Sequence, residues 1–434
     1  MRPLVRLSLH RQHQSQHIRA SQVIFSYRYN HSSTILSKDI NDKPILVLGI
    51  ESSADDSSVS IVSSNREILS LITISQHEEN SLYGGIHPLI AQSSHNKNIP
   101  IAIKKCLNES GKSINDIHTI AYTRGPGMRG CLSIGEMAAK GLAAGTEKNL
   151  LGIHHMQAHA LTPLLTEPNP PKYPFMILLV SGGHTQLVLA ESQDKFKILL
   201  DTLDSKIGDI YEKAARLLEL PISSDKSPGA ILEKYASMKP LPPYDKIPLE
   251  ALPIPLSTND TINKKAFSFS GILSSLQRKL SSSSSSISIK SKGQSSSVSD
   301  LTEGDKREFS RIFQIATIGH LIFKLEQTIK SLNNLKDING LVISGGVASN
   351  LYLRKMLIEM LSKIEERENG DGKRKQIELF YPPISLCTDN AAMIAWTAIL
   401  RIQAEGLSTN DPYDLPLRPK WSLEDLYDDL PKNV

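Results

Sequence analysis

Ile45-Leu46-Val47-Leu48-Gly49-Ile50, the polar residues 51–58 and the run Val59-Ser60-Ile61-Val62 together decide the fold. Short apolar runs on either side of a polar turn read as two strands of a buried hairpin. The pattern returns at residues 176–180, the turn Ser181-Gly182-Gly183-His184-Thr185, and Leu187-Val188-Leu189. A second pair of segments also matches. Residues 117–122 read as a strand leading through Thr123-Arg124-Gly125-Pro126-Gly127 into a helix-like stretch, 132–144. Residues 340–343 lead likewise through Ser344-Gly345-Gly346-Val347-Ala348-Ser349-Asn350 into a helix running through residue 360. Hairpin, helix, strand, glycine turn and helix thus occur twice, which predicts an internally duplicated α/β fold. Ligands of such folds sit in the crevice between the halves, at the carboxyl ends of the strands.

Around this frame the bulk properties set limits. At 434 residues the chain exceeds one ordinary core. Cys106, Cys131 and Cys387 are odd in number and lack CxxC spacing, so neither a disulfide framework nor a thiolate zinc site is expected. No run of apolar residues is long enough to predict a membrane span. The formal charge of +4 is concentrated at one end: residues 1–36 hold five arginines and no Lys, Asp or Glu. Without those five, 44 basic residues stand against 45 acidic ones. An Arg- and Ser-rich, acid-free leader has the composition of a mitochondrial transit peptide. Twelve of residues 281–300 are serine, which reads as a disordered surface insertion. Residues 366–375 read as a charged, solvated connector.

Three groups of residues could carry chemistry. His155 and His159, in His154-His155-Met156-Gln157-Ala158-His159, lie one helical turn apart on one face, a spacing that suits a single borderline metal. Two ordinary hydrogen-bonded histidines are the commoner meaning of HxxxH. A zincin peptidase is disfavoured, because Met156 stands where HExxH needs its glutamate. Asp389 follows a strand-like stretch, 377–381, and precedes an apolar helix, 391–400; it could cap that helix or supply a metal carboxylate, and locally the cap reading leads. The turns at Gly125-Pro126-Gly127, Gly182-Gly183 and Gly345-Gly346 could offer backbone N–H groups to phosphate, although none matches a P-loop or GxGxxG. Glu51, Asp55 and Asp56 on the first hairpin turn could hold a metal–phosphate unit or act as a base; solvated turn carboxylates are the alternative.

Taken in order, these segments resemble the TsaD-type tRNA N6-adenosine threonylcarbamoyltransferases, in their mitochondrial stand-alone branch. The resemblance is carried by Gly49-Ile50-Glu51-Ser52-Ser53 with Asp55-Asp56, Gly84-Gly85-Ile86-His87-Pro88, Thr123-Arg124-Gly125-Pro126-Gly127, and the segments 154–159 and 179–184. It continues in Phe267-Ser268-Phe269-Ser270-Gly271, 345–350, 387–390 and Arg418-Pro419-Lys420-Trp421. It implies an actin-like (ASKHA) fold of two lobes, 44–170 and 171–434, with a cleft between them. It also implies one divalent metal ion per subunit (zinc or iron, with magnesium a third option) on His155, His159 and Asp389. The substrate pocket would comprise Leu179, Val180, Ser181, Gly182, Gly183, Glu212, Gly229 and Asn350, with Glu51 and Asp55 as candidate catalytic carboxylates.

The donor implied is threonylcarbamoyl-AMP. The acceptor is N6 of the adenosine 3′-adjacent to the anticodon in mitochondrial tRNAs reading codons that begin with A. A homodimer in the mitochondrial matrix, without membrane attachment, is expected. Three features depart from the family pattern. Glu212 stands where an aspartate is usual, Ala54 replaces a cysteine, and Ser227-Pro228-Gly229-Ala230 replaces a Tyr-Pro-Gly-Gly-Pro run. A small-molecule kinase of the same fold, a metalloprotease and a non-catalytic scaffold are the competing expectations.

Overall fold

The computed structural model describes residues 43–76, 79–80, 85–221, 227–241, 251–287, 301–332, 337–368 and 377–430. The proposed leader lies outside them. The opening stretch forms the expected hairpin: β1 (Leu46–Glu51) pairs antiparallel with β2 (Asp56–Ser63), which pairs with β3 (Glu67–Ser75). After α1 (Pro88–Ser110), β4 (Thr119–Gly125) joins the other side of β1 in parallel. Then α2 (Arg129–Thr146) leads to β5 (Asn149–His154), parallel to β4, and α3 (His155–Thr166) closes the first half. The sheet order is β3-β2-β1-β4-β5.

The second half repeats this plan. The strands β6 (Phe175–Val180), β7 (Thr185–Ala190) and β8 (Phe196–Thr202) form an antiparallel meander. Next come α4 (Ile207–Leu217), α5 (Pro228–Ser237), the short β9 (Ala266–Phe267), α6 (Ser270–Ile287) and α7 (Glu303–Lys330). Strand β10 (Gly340–Ser344) pairs in parallel with β6, α8 (Leu351–Glu368) follows, and β11 (Glu378–Phe380) pairs in parallel with β10. Helices α9 (Ile384–Cys387) and α10 (Ala391–Glu405) complete it. The order β8-β7-β6-β10-β11 reproduces the first sheet strand for strand, with β9 added at its edge. The duplication expected from the sequence is present.

The serine-rich expectation needs correction at its start. Its first residues, through Ile287, continue helix α6; the remainder lies outside the described residues. Serine is only a moderately poor helix former, and a helix already nucleated from Ser270 extends at small cost per residue. The connector expected at 366–375 likewise begins inside α8, which runs to Glu368. No helix among the described residues is long and apolar enough to cross a membrane.

Two central helices tie the halves together. Helix α10 is sequentially in the second half but packs on the first sheet, with Ala392, Ala395 and Ile399 sharing a core with Val47, Val62 and Ala121. Helix α3 does the converse, placing Met156, Ala160 and Leu161 against Phe175, Ile177 and Leu179. Gly49 is what lets α10 approach: a Cβ there would lie 2.5 Å from the Ala391 carbonyl oxygen and 2.9 Å from the Ala395 nitrogen. Any side chain would push the helix off the strand. The amino termini of α3 and α10 therefore meet in the crevice between the sheets.

Candidate metal centre

His155 is the first residue of α3 and His159 follows one turn later. Their rings stand edge to face, with centroids 4.7 Å apart. Asp389 comes from the loop before α10: its Oδ1 lies 3.0 Å from His159 Nε2 and 3.4 Å from His155 Nε2. The three candidate ligand atoms all fall within 4.8 Å of one another.

Asp389 is free for this role because another residue caps the helix. Asn390 Oδ1 accepts from the Met393 N–H at 3.1 Å, and its Nδ2 donates to the carbonyls of Leu386 and Thr388. The cap reading, favoured for Asp389 on local sequence, is thus overturned by its neighbour. The donor set fits a divalent ion. Tetrahedral bonds of about 2.1 Å place ligand atoms roughly 3.4 Å apart. Two imidazole nitrogens and one carboxylate leave a fourth position open, as in sites that bind a reactant.

Glu51 stands behind the triad. It is wholly buried, not a solvated turn residue. Its Oε1 accepts from the Ser53 N–H at 2.6 Å, and its Oε2 lies 3.1 Å from His155 Nδ1 and accepts from Thr123 Oγ1. An Nδ1–H donated to Glu51 fixes the ring so that Nε2 faces Asp389 and the open position, where a metal ion would take the place of the Nε2 proton. Burial alone would push His155 down, but the Glu51 and Asp389 carboxylates outweigh it and hold it up to about 10. Burial also opposes the charge on Asp389, yet His155 and His159 hold that carboxyl well below the usual range. Two carboxylates around one cationic ring make an environment built for positive charge.

His154, just outside the triad, has a separate job. Its Nδ1 accepts from the N–H groups of Met156 and Gln157, capping α3. Burial pushes it down to about 3. Asp55 is half-buried and accepts from Asn80 Nδ2 at 3.4 Å. Asp56 is pushed up to about 7 by burial, then by the charges of Asp55 and Asp389. His184, quoted in the sequence only as part of a turn, has its ring 6.2 Å from that of His155. Burial, then the charges on His155 and His159, push it down to about 3.

Several of the expected substrate-pocket residues lie in close backbone contact with their neighbours. Leu179 and Val180 end β6 with their side chains in the cores, leaving only backbone for a ligand. A Cβ on Gly208 would lie 2.6 Å from the Gly182 nitrogen, and one on Gly345, at φ 101°, 2.4 Å from the Val180 carbonyl oxygen. Gly229 packs on Tyr211, the neighbour of Glu212. Glu233 Oε1 accepts from the Leu351 N–H, linking α5 to α8. Gly346 stands beside Thr388, next to Asp389.

Two of these residues carry structural work as well. Asn350 is buried, caps α8 by accepting from the Leu353 N–H, and donates to Gln314 Oε1. Glu212 is half-exposed and paired with Arg216 at 3.4 Å. The turn donors are partly committed too. Ser181 Oγ accepts from the N–H groups of Gly183 and His184. The Gly127 N–H goes to the Pro419 carbonyl. A Cβ on Gly125 would strike the Arg418 carbonyl oxygen at 1.9 Å, so the first glycine turn serves close packing against the C-terminal segment rather than a phosphate.

The duplicated α/β fold is that of an actin-like scaffold, with a candidate His-His-Asp metal site at the meeting of its halves. A solved structure agrees at the level of fold: T. kodakarensis HypF superposes with a TM-score of 0.50 at 11% identity, over 84% of this chain and 49% of that one. The sequence profile of TsaD, described as tRNA N6-adenosine threonylcarbamoyltransferase, matches residues 67–396. A Rickettsia rickettsii protein of that name is 35% identical over 88% of this chain and 99% of its own length. The Schizosaccharomyces pombe protein named as the mitochondrial form is 36% identical over 92% of this chain and 90% of its own. The chain belongs to the TsaD family of tRNA N6-adenosine threonylcarbamoyltransferases, and is a transferase of tRNA modification.

Proposed function

We propose that the chain moves the threonylcarbamoyl group of threonylcarbamoyl-AMP to N6 of the adenosine 3′-adjacent to the anticodon in mitochondrial tRNAs. The observation carrying this reading is the meeting of His155, His159 and Asp389 at the amino ends of α3 and α10. Helix amino termini favour anions, and the donor brings a phosphate and a carboxylate. One divalent ion would be held by His155, His159 and Asp389. When bound, it supplies a Lewis acid for the donor's oxygen atoms.

The chain's own residues do the rest. Glu51 orients His155; its oxygens are already engaged, so it positions rather than exchanges protons. The turn at Gly182-Gly183, with Gly229, Glu212 and Asn350, forms the cradle for the nucleotide portion. The acceptor nitrogen attacks the carbamoyl carbon, the bond from that carbon to the phosphate oxygen breaks, and AMP leaves. The nitrogen loses one proton, for which Asp55 is the candidate acceptor. The residues 44–170 and 171–434 act as two lobes around this cleft, bridged by α3 and α10. A homodimer in the mitochondrial matrix completes the reading; the mitochondrial designation of the S. pombe relative and the leader composition support that placement.

The test is reconstitution of purified chain, threonylcarbamoyl-AMP and unmodified mitochondrial tRNA, with the nucleosides read by mass spectrometry. Formation of N6-threonylcarbamoyladenosine is expected. Acceptor-dependent ATP turnover without incorporation of threonine would favour a kinase instead.

A further inference from the structure

A cavity of about 540 Å³ opens on the other side of His184. Of the residues proposed for the donor it shares only Gly183, yet it is lined by His154 and His184, which adjoin the triad. The donor therefore leaves it free, and a second reactant placed there would lie next to the metal centre. Part of its wall is apolar, from Pro126, Met156, Ile198 and Pro419. Trp421 also lines it, with the Arg124 and Arg418 guanidinium groups 5.0 and 4.8 Å from its ring centroid. That ring is a rigid wall, already engaged.

The polar lining is unevenly used. Asp201 accepts from Gln186 Nε2 at 2.9 Å and from the Thr202 N–H. Among the described residues, Lys206 and Lys420 have no ion-pair or hydrogen-bond partner for their ammonium groups, and the ring nitrogens of His184 have no hydrogen-bond partner. Two uncommitted cations beside a chamber with apolar and polar walls match a nucleotide: a base for the chamber and phosphates for the lysines. An unpaired loop base can turn into such a chamber without melting a duplex.

Resting on the transferase reading above, we infer that this cavity receives the acceptor adenine of the tRNA. Lys206 and Lys420 hold the flanking phosphates, and His184 stands between cavity and triad, in contact with the base.

The test uses the full chain and an unmodified anticodon stem-loop RNA, with affinity measured by fluorescence anisotropy across a salt series. For Lys206→Ala/Lys420→Ala, the affinity is expected to fall about tenfold or more and the salt slope to shrink by roughly 1.5. Binding of threonylcarbamoyl-AMP and the melting temperature should stay at the wild-type level. The double Lys→Arg variant should restore the affinity. An unchanged slope and affinity, or an equal loss of donor binding, overturns the assignment.

His184→Ala should lower the transfer rate at saturating stem-loop while metal content stays at the wild-type level. Loss of metal from that variant would instead make His184 a support of the triad and remove it from the acceptor site. The two readings fail separately. A wild-type chain that binds the stem-loop through these lysines but transfers nothing refutes the transferase reading alone.

Discussion

At the scale of single residues, the centre depends on a division of labour between neighbours. Asn390 caps α10 and ties down Leu386 and Thr388, which frees Asp389 to face the histidines. Asn390→Ala should therefore cost about 1–2 kcal/mol of stability, read as a lower denaturation midpoint. Asp389→Ala should lose metal with little change in that midpoint. If both variants lose stability equally, the assigned roles are wrong. Glu51 provides a second case. Glu51→Gln keeps the shape but weakens the hold on His155 Nδ1, so metal affinity should drop roughly 10- to 100-fold in a calorimetric titration. Unaltered affinity would show that Glu51 does not orient the ligand. These relations explain what the sequence hid. HxxxH was legible as one helix face, but Asp389 read better as a cap, because local sequence cannot say which of two adjacent polar residues turns inward. The burial of Glu51 was invisible for the same reason: a turn carboxylate and a buried one have the same letter.

At the scale of elements, α3 and α10 place ligands, while another device pins the second half. The Ser268 N–H donates to His320 Nε2 at 3.0 Å, and Asp204 accepts from the N–H groups of Phe269 and Ser270. Together they fix the start of α6 against α7. Burial, then the charge of Lys324, push His320 down to about 4. The unfolded chain, with its histidine near 6.5, binds that proton more readily than the native state does. This contribution is complete above pH 6.5 and is lost as the pH falls from there towards 4. His320→Gln should show a shallower loss of stability over that interval in urea titrations; parallel curves for variant and wild type would contradict the account. The hairpins and the strand–turn–helix units were legible because apolar periodicity is local. The pinning of Phe267-Ser268-Phe269 by His320 was not, since its partners lie 52 residues apart in sequence.

At the scale of the whole molecule, the C-terminal segment straps the first half to α10. Asp411 pairs with both terminal nitrogens of Arg401, at 3.0 and 2.7 Å, and accepts from the Gly152 N–H on β5. Farther on, Arg124 is bound by Asp429 and by the Pro416 carbonyl. Asp411→Ala leaves the buried Arg401 with Glu405 as its remaining carboxylate and should cost about 3–5 kcal/mol, measured by chemical denaturation. A loss below about 1 kcal/mol would show the strap to be incidental. The repeated strand order was foreseeable from the duplicated pattern. The strap, and the cavity it roofs with Pro419 and Trp421, were not, because nothing in residues 411–423 marks which surface they cover. His155, His159 and Asp389 are proposed to hold the metal on which transfer depends. The most direct measurement is metal content together with threonylcarbamoyladenosine formation, taken on the wild-type chain and on His155→Ala/His159→Ala. One metal per chain is expected in the wild type and, in the variant, no metal and transfer lowered at least about 100-fold. A metal-free double variant that transfers at the wild-type rate would contradict it.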